Sequence, residues 1–256
     1  QGALSITVEQ KIGKCQTNNS LVQIGFDVST GFIPVIELCH DTKIHRTLHS
    51  KYLLTKEVAN GYQRHVPRPT WLTGSAYLGK RYVQQSNDYF LARGHMAPKA
   101  DFFYATEQMA TFYYLNAAPQ WQTSNGHNWE AIENDVRHFA GRLNEDLEIY
   151  TGTHGVDTLP NVNGEMVPLS LDGKGNIPVP RVYWKLVHSP LNGKGIVFVG
   201  YNSPYVTLEE IQNEMLCTDI CHKVNWLSWH QHDIKKGYSY CFIISHINRP
   251  NLKTPS

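Results

Sequence analysis

Trp129, Ile132, Val136, Phe139 and Leu143 recur at three- and four-residue steps, the spacing that gathers apolar side chains on one face of a helix. The stripe predicts a helix from about Asn128 to Leu143 that must bury that face against another layer. The rest of the chain is mostly strand-like. Leu21–Phe26, Phe32–Leu38, Leu48–Leu54 and Glu148–Thr153 read as short strands, Ile177–Val187 contains another, and Gly195–Tyr201 is the clearest of all. Leu191-Asn192-Gly193, between the last two, suits a hairpin turn. A shorter helix is expected over Thr106–Leu115. Residues 61–90, rich in Pro, Gly, Gln and Tyr without periodicity, read as a surface connection that borders any site. Many strands, few helices and no strand–Gly-rich-loop–helix unit give an α+β class and argue against a doubly wound nucleotide-binding fold.

With 256 residues and 41% hydrophobic content, one core is affordable, and a single domain over 1–256 is expected. Nowhere does an apolar run approach the roughly 20 residues of a membrane-spanning helix, so no membrane partner is expected. The formal net charge of +1 is no polybasic footprint. It argues against tight, sequence-specific DNA binding through many phosphates, but not against an enzyme with a few phosphate contacts in one cleft. Cys15, Cys39, Cys217, Cys221 and Cys241 allow two disulfides and leave one thiol over. Asn18-Asn19-Ser20 is a glycosylation sequon. The chain opens QGALSITVEQ, without Met or a basic leader, so any export signal is expected to have been removed. Cysteines, sequon and start together point to a secreted protein.

Two stretches carry chemistry. In Leu91-Ala-Arg-Gly-His-Met-Ala-Pro-Lys-Ala-Asp-Phe102, Arg93 sets a guanidinium beside the imidazole of His95, and Gly94 permits a tight backbone between them. Imidazole can take a proton from an attacking water, and guanidinium offers a planar fork to a phosphate. The second runs from Leu115 to Glu133 and carries Asn116, Asn125 and Glu133. Asn125 precedes the expected helix, where a cap or turn residue is the plain alternative. Glu133 borders the apolar stripe, an uncomfortable place for a carboxylate unless it faces a polar cleft. Its four-residue step to Arg137 also suits a helix salt bridge. Neither His40, His45 and His49 nor His222, His230 and His232 have the compact spacing of a zinc site.

Arg-Gly-His, then Asn-x-x-Pro-Gln, then an Asn-Gly-x-x-Trp segment ending in Glu resemble the signature of the DNA/RNA non-specific endonucleases of the ββα-metal superfamily. The resemblance is nearest to the secreted arthropod branch, with its digestive and double-stranded-RNA-degrading enzymes. Val179–Lys185 matches a further strand motif, and the recognisable core covers residues 87–205. The fold this implies is a central antiparallel sheet with flanking helices. By position, His95 matches the general base, Arg93 the arginine at the scissile phosphate and Asn125 the direct metal ligand. Asn116 matches an asparagine that orders the site, Glu133 a carboxylate holding metal-bound water, and Arg137 a second or substrate-facing arginine. Ala92 stands where the family usually has Asp. Lys51 is the best match for an upstream phosphate-binding cation, with Arg46, Arg64 and Arg68 as rivals.

The resemblance implies Mg²⁺ as cofactor, Mn²⁺ or Ca²⁺ being alternatives, and DNA, RNA or double-stranded RNA as substrate, cut to 5′-phosphate products. Tyr82, Tyr89, Phe90, Trp121 and Trp129 are candidates for stacking on bases, Phe90 and Trp129 being better placed as core; His127 is a candidate substrate contact. A monomer is expected, a homodimer being the alternative, in an extracellular setting such as the gut lumen. The rivals are an inactive secreted nucleic-acid-binding homologue and a histidine-rich zinc hydrolase.

Overall fold

The computed structural model describes residues 6–15, 19–72 and 89–245. Asn18 of the sequon and Tyr82 lie outside the described residues. Eight strands form one antiparallel sheet. Its first half is β1 (Ile6–Cys15), β2 (Asn19–Val28), β3 (Gly31–Asp41) and β4 (Arg46–Leu54), paired in sequence order. Two strands follow that form their own hairpin: β5 (Leu91–His95) and β6 (Ala117–Trp121). Next come β7 (Leu147–His154) and the short pair β8 (Thr158–Pro160) and β9 (Met166–Pro168). The sheet closes with β10 (Val182–His188), β11 (Lys194–Tyr201) and β12 (Ser239–Ser245), in the order β1-β2-β3-β4-β7-β10-β11-β12.

Strand alternation explains how both sheet faces are covered. On β10 Tyr183 and Val187 point to one core, while Leu186 points to the other. Helix α3 (Glu130–Leu143) covers the first face with Ile132, Val136 and Ala140, each burial contributing roughly 1–3 kcal/mol for the larger side chains. Its end is set by Asn144, which takes the left-handed conformation (φ 54°) and closes the last turn onto Ala140 O and Gly141 O. Helix α4 (Leu208–Glu214) covers the other face through Ile211. Thr207 caps it by accepting from Glu210 N–H.

The helix expected over Thr106–Leu115 is only α1 (Ala105–Ala110). Thr111 ends it: its hydroxyl bonds Gln108 O, and its own carbonyl accepts from the Asn116 side chain instead of continuing the helix. The second helix starts earlier than the apolar stripe suggests. One turn, α2 (Gln122–Ser124), runs through a π-helical turn (Asn125–Trp129) straight into α3. Asn125 is thus inside the helical run (φ −58°, ψ −44°), not a cap before it.

Disulfides join Cys15 to Cys39, tying β1 to β3, and Cys221 to Cys241, tying a loop to β12. Cys217 is the remaining thiol and is exposed. Two disulfides and one free cysteine are what the count allowed. Among the described residues no helix is long and apolar enough to cross a membrane.

Candidate active site

Two strands and a helix build the site. The β5–β6 hairpin pairs His95 with Ala117, Arg93 with Pro119 and Leu91 with Trp121, and β6 leads directly into α2. Gly94 has to be glycine for a packing reason. A Cβ there would lie 2.4 Å from Gln120 Oε1 and 2.8 Å from the Tyr183 hydroxyl, so the hairpin backbone rests directly on buried side chains. This lets Arg93 and His95 share one face of the strand.

That face opens on a cleft of about 380 Å³, whose walls include Arg68, Trp71, Phe90, Arg93, His95, Phe112, Gln122 and Asn125. His95 Nε2 is buried there without a hydrogen-bond partner. The ring is wedged between Trp71, with centroids 4.8 Å apart, and Phe112, edge-on at 5.1 Å. Burial first, then the charges of Arg68, Arg93 and Lys99, hold its pKa down at about 3. The imidazole is therefore neutral across the ordinary pH range. Arg93 donates to the Tyr114 hydroxyl at 3.2 Å and lies 5.7 Å from the Trp71 ring, so its fork is held in place.

Asn116 is fully buried and lines nothing. Its side chain accepts from Ala97 N–H at 2.9 Å and donates to Ala97 O and Thr111 O at 2.8 and 3.0 Å. Asn116 O also accepts from Met96 N–H, so this one residue fixes the chain directly after His95. Asn125 donates through Nδ2 to Gln122 Oε1 at 3.3 Å, which leaves Oδ1 as its atom for a further ligand.

Glu133, Arg137, His127, Trp121 and Lys51 are not in the cleft wall. Glu133 is eight residues beyond Asn125, about 12 Å along a helix axis. It belongs to a buried charged cluster with Lys185, Asp101 and Arg137; burial lifts its pKa to about 7, against the pull of Lys185. Arg137 lies outside the wall of this cleft. It is buried and ion-pairs Asp101 at 2.5 Å, the compensating charge that this buried carboxylate needs; Asp101 also accepts from the Tyr52 hydroxyl. His127 is exposed and bonds Thr123 O through Nδ1 at 2.8 Å. Trp121 is buried at the far end of the hairpin, its Nε1 donating to Asp157 at 3.3 Å. Lys51 lies on β4 near Glu148 (3.8 Å) and Tyr150, away from the cleft; of its rivals, Arg68 is the one in the wall. Phe90 lines the cleft, whereas Trp129 is core as expected.

Trp71 is the residue the sequence did not single out. It lies in the 61–90 connection, and Leu72 clamps it by pairing with Phe112 and Tyr114 through backbone bonds of 2.8 and 3.0 Å. Only its place beside Arg68 in a segment without periodicity hinted at a role. Gln120 was visible within the Asn-x-x-Pro-Gln motif but had no stated task; both ends of its amide are buried under Gly94 without a partner. Among the described residues, no histidines bring ligand atoms together as a zinc site would; the one close group is Asp219 with the disulfide-bonded Cys221 and Cys241.

The residues present fit a hard divalent cation. Of the two amides in the wall, Gln122 Oε1 already accepts from Asn125 Nδ2, which leaves Asn125 Oδ1 as the open oxygen; with no thiolate or histidine cluster beside it, this donor set leaves a hydrated divalent ion most of its water.

A model of the family described as DNA/RNA non-specific endonuclease matches residues 17–242. A salivary endonuclease of Lutzomyia longipalpis is 30% identical over 227 residues, covering 81% of this chain and 54% of that protein. A salivary endonuclease of Culex quinquefasciatus is 28% identical over 191 residues, covering 70% and 50%. The chain thus spans about half the length of these curated relatives. A crystal structure of an EndoG/EndoGI complex is 22% identical with a TM-score of 0.47, covering 66% of this chain and 72% of that one.

Proposed function

Because the chain belongs to the DNA/RNA non-specific endonuclease family, we propose that it hydrolyses internal phosphodiester bonds of DNA and RNA, outside the cell, with a divalent cation. The observation that carries this reading is His95: a neutral imidazole with an unpartnered, buried Nε2, set beside two arginines in a cleft that also holds Asn125.

His95 takes a proton from water as the water oxygen attacks phosphorus; the bond to the 3′ oxygen breaks, and that oxygen takes a proton from solvent water, giving a 5′-phosphate and a 3′-hydroxyl. Arg93 and Arg68 face the non-bridging oxygens, whose negative charge grows as the attack proceeds. A cation held by Asn125 would supply charge neutralisation at the phosphate; Glu133, two helical turns further on and outside the cleft wall, would act on it only through intervening water. Because the nucleophile is water and not the ribose 2′-hydroxyl, both DNA and RNA qualify. The contacts are to phosphate, so base preference is weak. Two disulfides and salivary relatives support an extracellular setting.

The test compares wild type with His95→Ala on plasmid DNA, single-stranded RNA and double-stranded RNA, each with Mg²⁺ or excess EDTA. The reading requires cleavage that needs both metal and His95. Cleavage that survives the substitution would remove His95 as the base.

A further inference from the structure

We propose that Tyr205 and Tyr89 form a stacking subsite for an unpaired nucleobase of the strand that leaves the cleft. The inference rests on the nuclease reading above and adds to it a preference for single-stranded segments. Tyr205 and Tyr89 are 53% and 41% exposed, and their rings lie 6.1 Å apart at the surface. Single exposed aromatics are unremarkable; this pair is mounted on a rigid base. Trp121 supports Tyr205 edge-on at 5.7 Å and 82°. Trp121 is itself fixed at both ends, its backbone N–H donating to Asn202 Oδ1 at 2.9 Å and its Nε1 to Asp157. A preorganised ring loses little freedom when a base settles on it.

Continuity with the cleft says what the occupant is. Tyr89 is followed directly by Phe90 and Leu91, which line the cleft, and Leu91 pairs with Trp121 beneath Tyr205. Four residue steps along the strand take Leu91 to His95, about 13 Å, so one nucleic-acid strand reaches both. On its other side Tyr205 forms a wall of a separate cavity of about 590 Å³. The cation there, Arg181, is taken up by Asp157, Glu210 and Glu214 at 3.3, 3.1 and 2.9 Å. Recognition at this spot therefore falls to a π-face and not to a phosphate. A base inside a duplex already has both faces stacked, so the ligand must be unpaired.

Tyr205→Ala, Tyr205→Trp and Tyr89→Ala, made in the full chain, test this on single-stranded and duplex oligonucleotides of one sequence. A parallel assay follows fluorescence of a 2-aminopurine-labelled single strand in EDTA, where no cleavage intervenes. Tyr205→Ala is expected to raise KM for the single strand about tenfold, the size of one base–aromatic stack. It should leave kcat and duplex cleavage within twofold, and Tyr205→Trp should restore the wild-type KM. The fluorescence quench should weaken in Tyr205→Ala and Tyr89→Ala. Equal losses on both substrates, or an unchanged KM and quench, would overturn the subsite. Quenching lost in Tyr205→Ala in a protein that cuts nothing would uphold the subsite and sink the hydrolytic reading.

Discussion

The side-chain amide of Asn116 brackets the peptide of Ala97, accepting from its N–H at 2.9 Å and donating to its carbonyl at 2.8 Å. That peptide is two residues past His95, so the amide fixes where the imidazole points. Asn116→Ala leaves three buried backbone groups without partners, at about 1–3 kcal/mol each. Urea unfolding should show a loss of about 3 kcal/mol or more. Among molecules that remain folded, kcat should fall about 10²-fold, since small misplacements of a reacting group are costly. Asn116→Asp keeps the acceptor and loses both donors, so it should be almost as damaging. A variant with wild-type kcat would show that His95 is held by other contacts.

Asp101 is a buried carboxylate that receives the Tyr52 hydroxyl and the Arg137 guanidinium, each at 2.5 Å. Removing the cation alone strands the charge. Arg137→Met should cost about 3–5 kcal/mol of stability, whereas Arg137→Met combined with Asp101→Asn should recover a large part of it. The measurement is a double-mutant cycle by denaturant unfolding. If the two losses simply add, the pair is not coupled and the buried cluster is not electrostatic in origin.

Much of this arrangement was legible in the sequence, and the missing parts have physical reasons. The α3 stripe could be read because it buries one set of periodic positions, and β11 because it is a continuous apolar run buried on both faces. The short motifs gave His95, Arg93 and Asn125, which the fold does bring to one cleft. The early start of the helix was hidden because Gln122-Thr-Ser-Asn-Gly is polar and its turn is held by tertiary bonds, such as Gln122 N–H to Phe90 O. Trp71 could not be found, because its place depends on a backbone pairing with a segment some forty residues on. Residue type alone also says nothing of which way Lys51 and Arg137 face; their partners Glu148 and Asp101 are distant in sequence.

His40 gives a pH prediction remote from the cleft. Thr47 donates its one hydroxyl hydrogen to Leu115 O at 2.6 Å, so at 3.0 Å its oxygen accepts from His40 Nδ1–H. The neutral ring fits this arrangement, and burial, with His45 adding to it, lowers the His40 pKa to about 4. In the unfolded chain the pKa is about 6.5. Below pH 6.5 the unfolded state takes a proton that the native state refuses, so stability falls with falling pH until about pH 4, where both are charged. The full loss is about 3 kcal/mol. His40→Gln keeps a donor toward Thr47 but does not titrate. Its unfolding free energy should drop less than that of wild type between pH 7 and 4.5, and equal drops would refute the assignment.

Arg68 and Lys51 make opposite predictions about the phosphate-binding cation. Arg68 is in the cleft wall and its charge helps keep His95 deprotonated. Lys51 lies beside Glu148 and over the Tyr150 ring, so its charge is already partly answered. Losing a group that faces the developing charge of a transition state lowers kcat about 10²-fold when the contact is close; the exposed position of Arg68 puts the expected loss nearer tenfold. Lys51→Ala should stay within twofold. Arg68→Ala should also move the acidic limb of kcat/KM upward, because one of the charges that depress the imidazole pKa is gone. Steady-state kinetics on a short single-stranded RNA from pH 2.5 to 8, a range that spans the His95 pKa of about 3, reads both effects in one series. A large loss in Lys51→Ala with Arg68→Ala unaffected would return the role to β4 and place the substrate on a different face of the sheet.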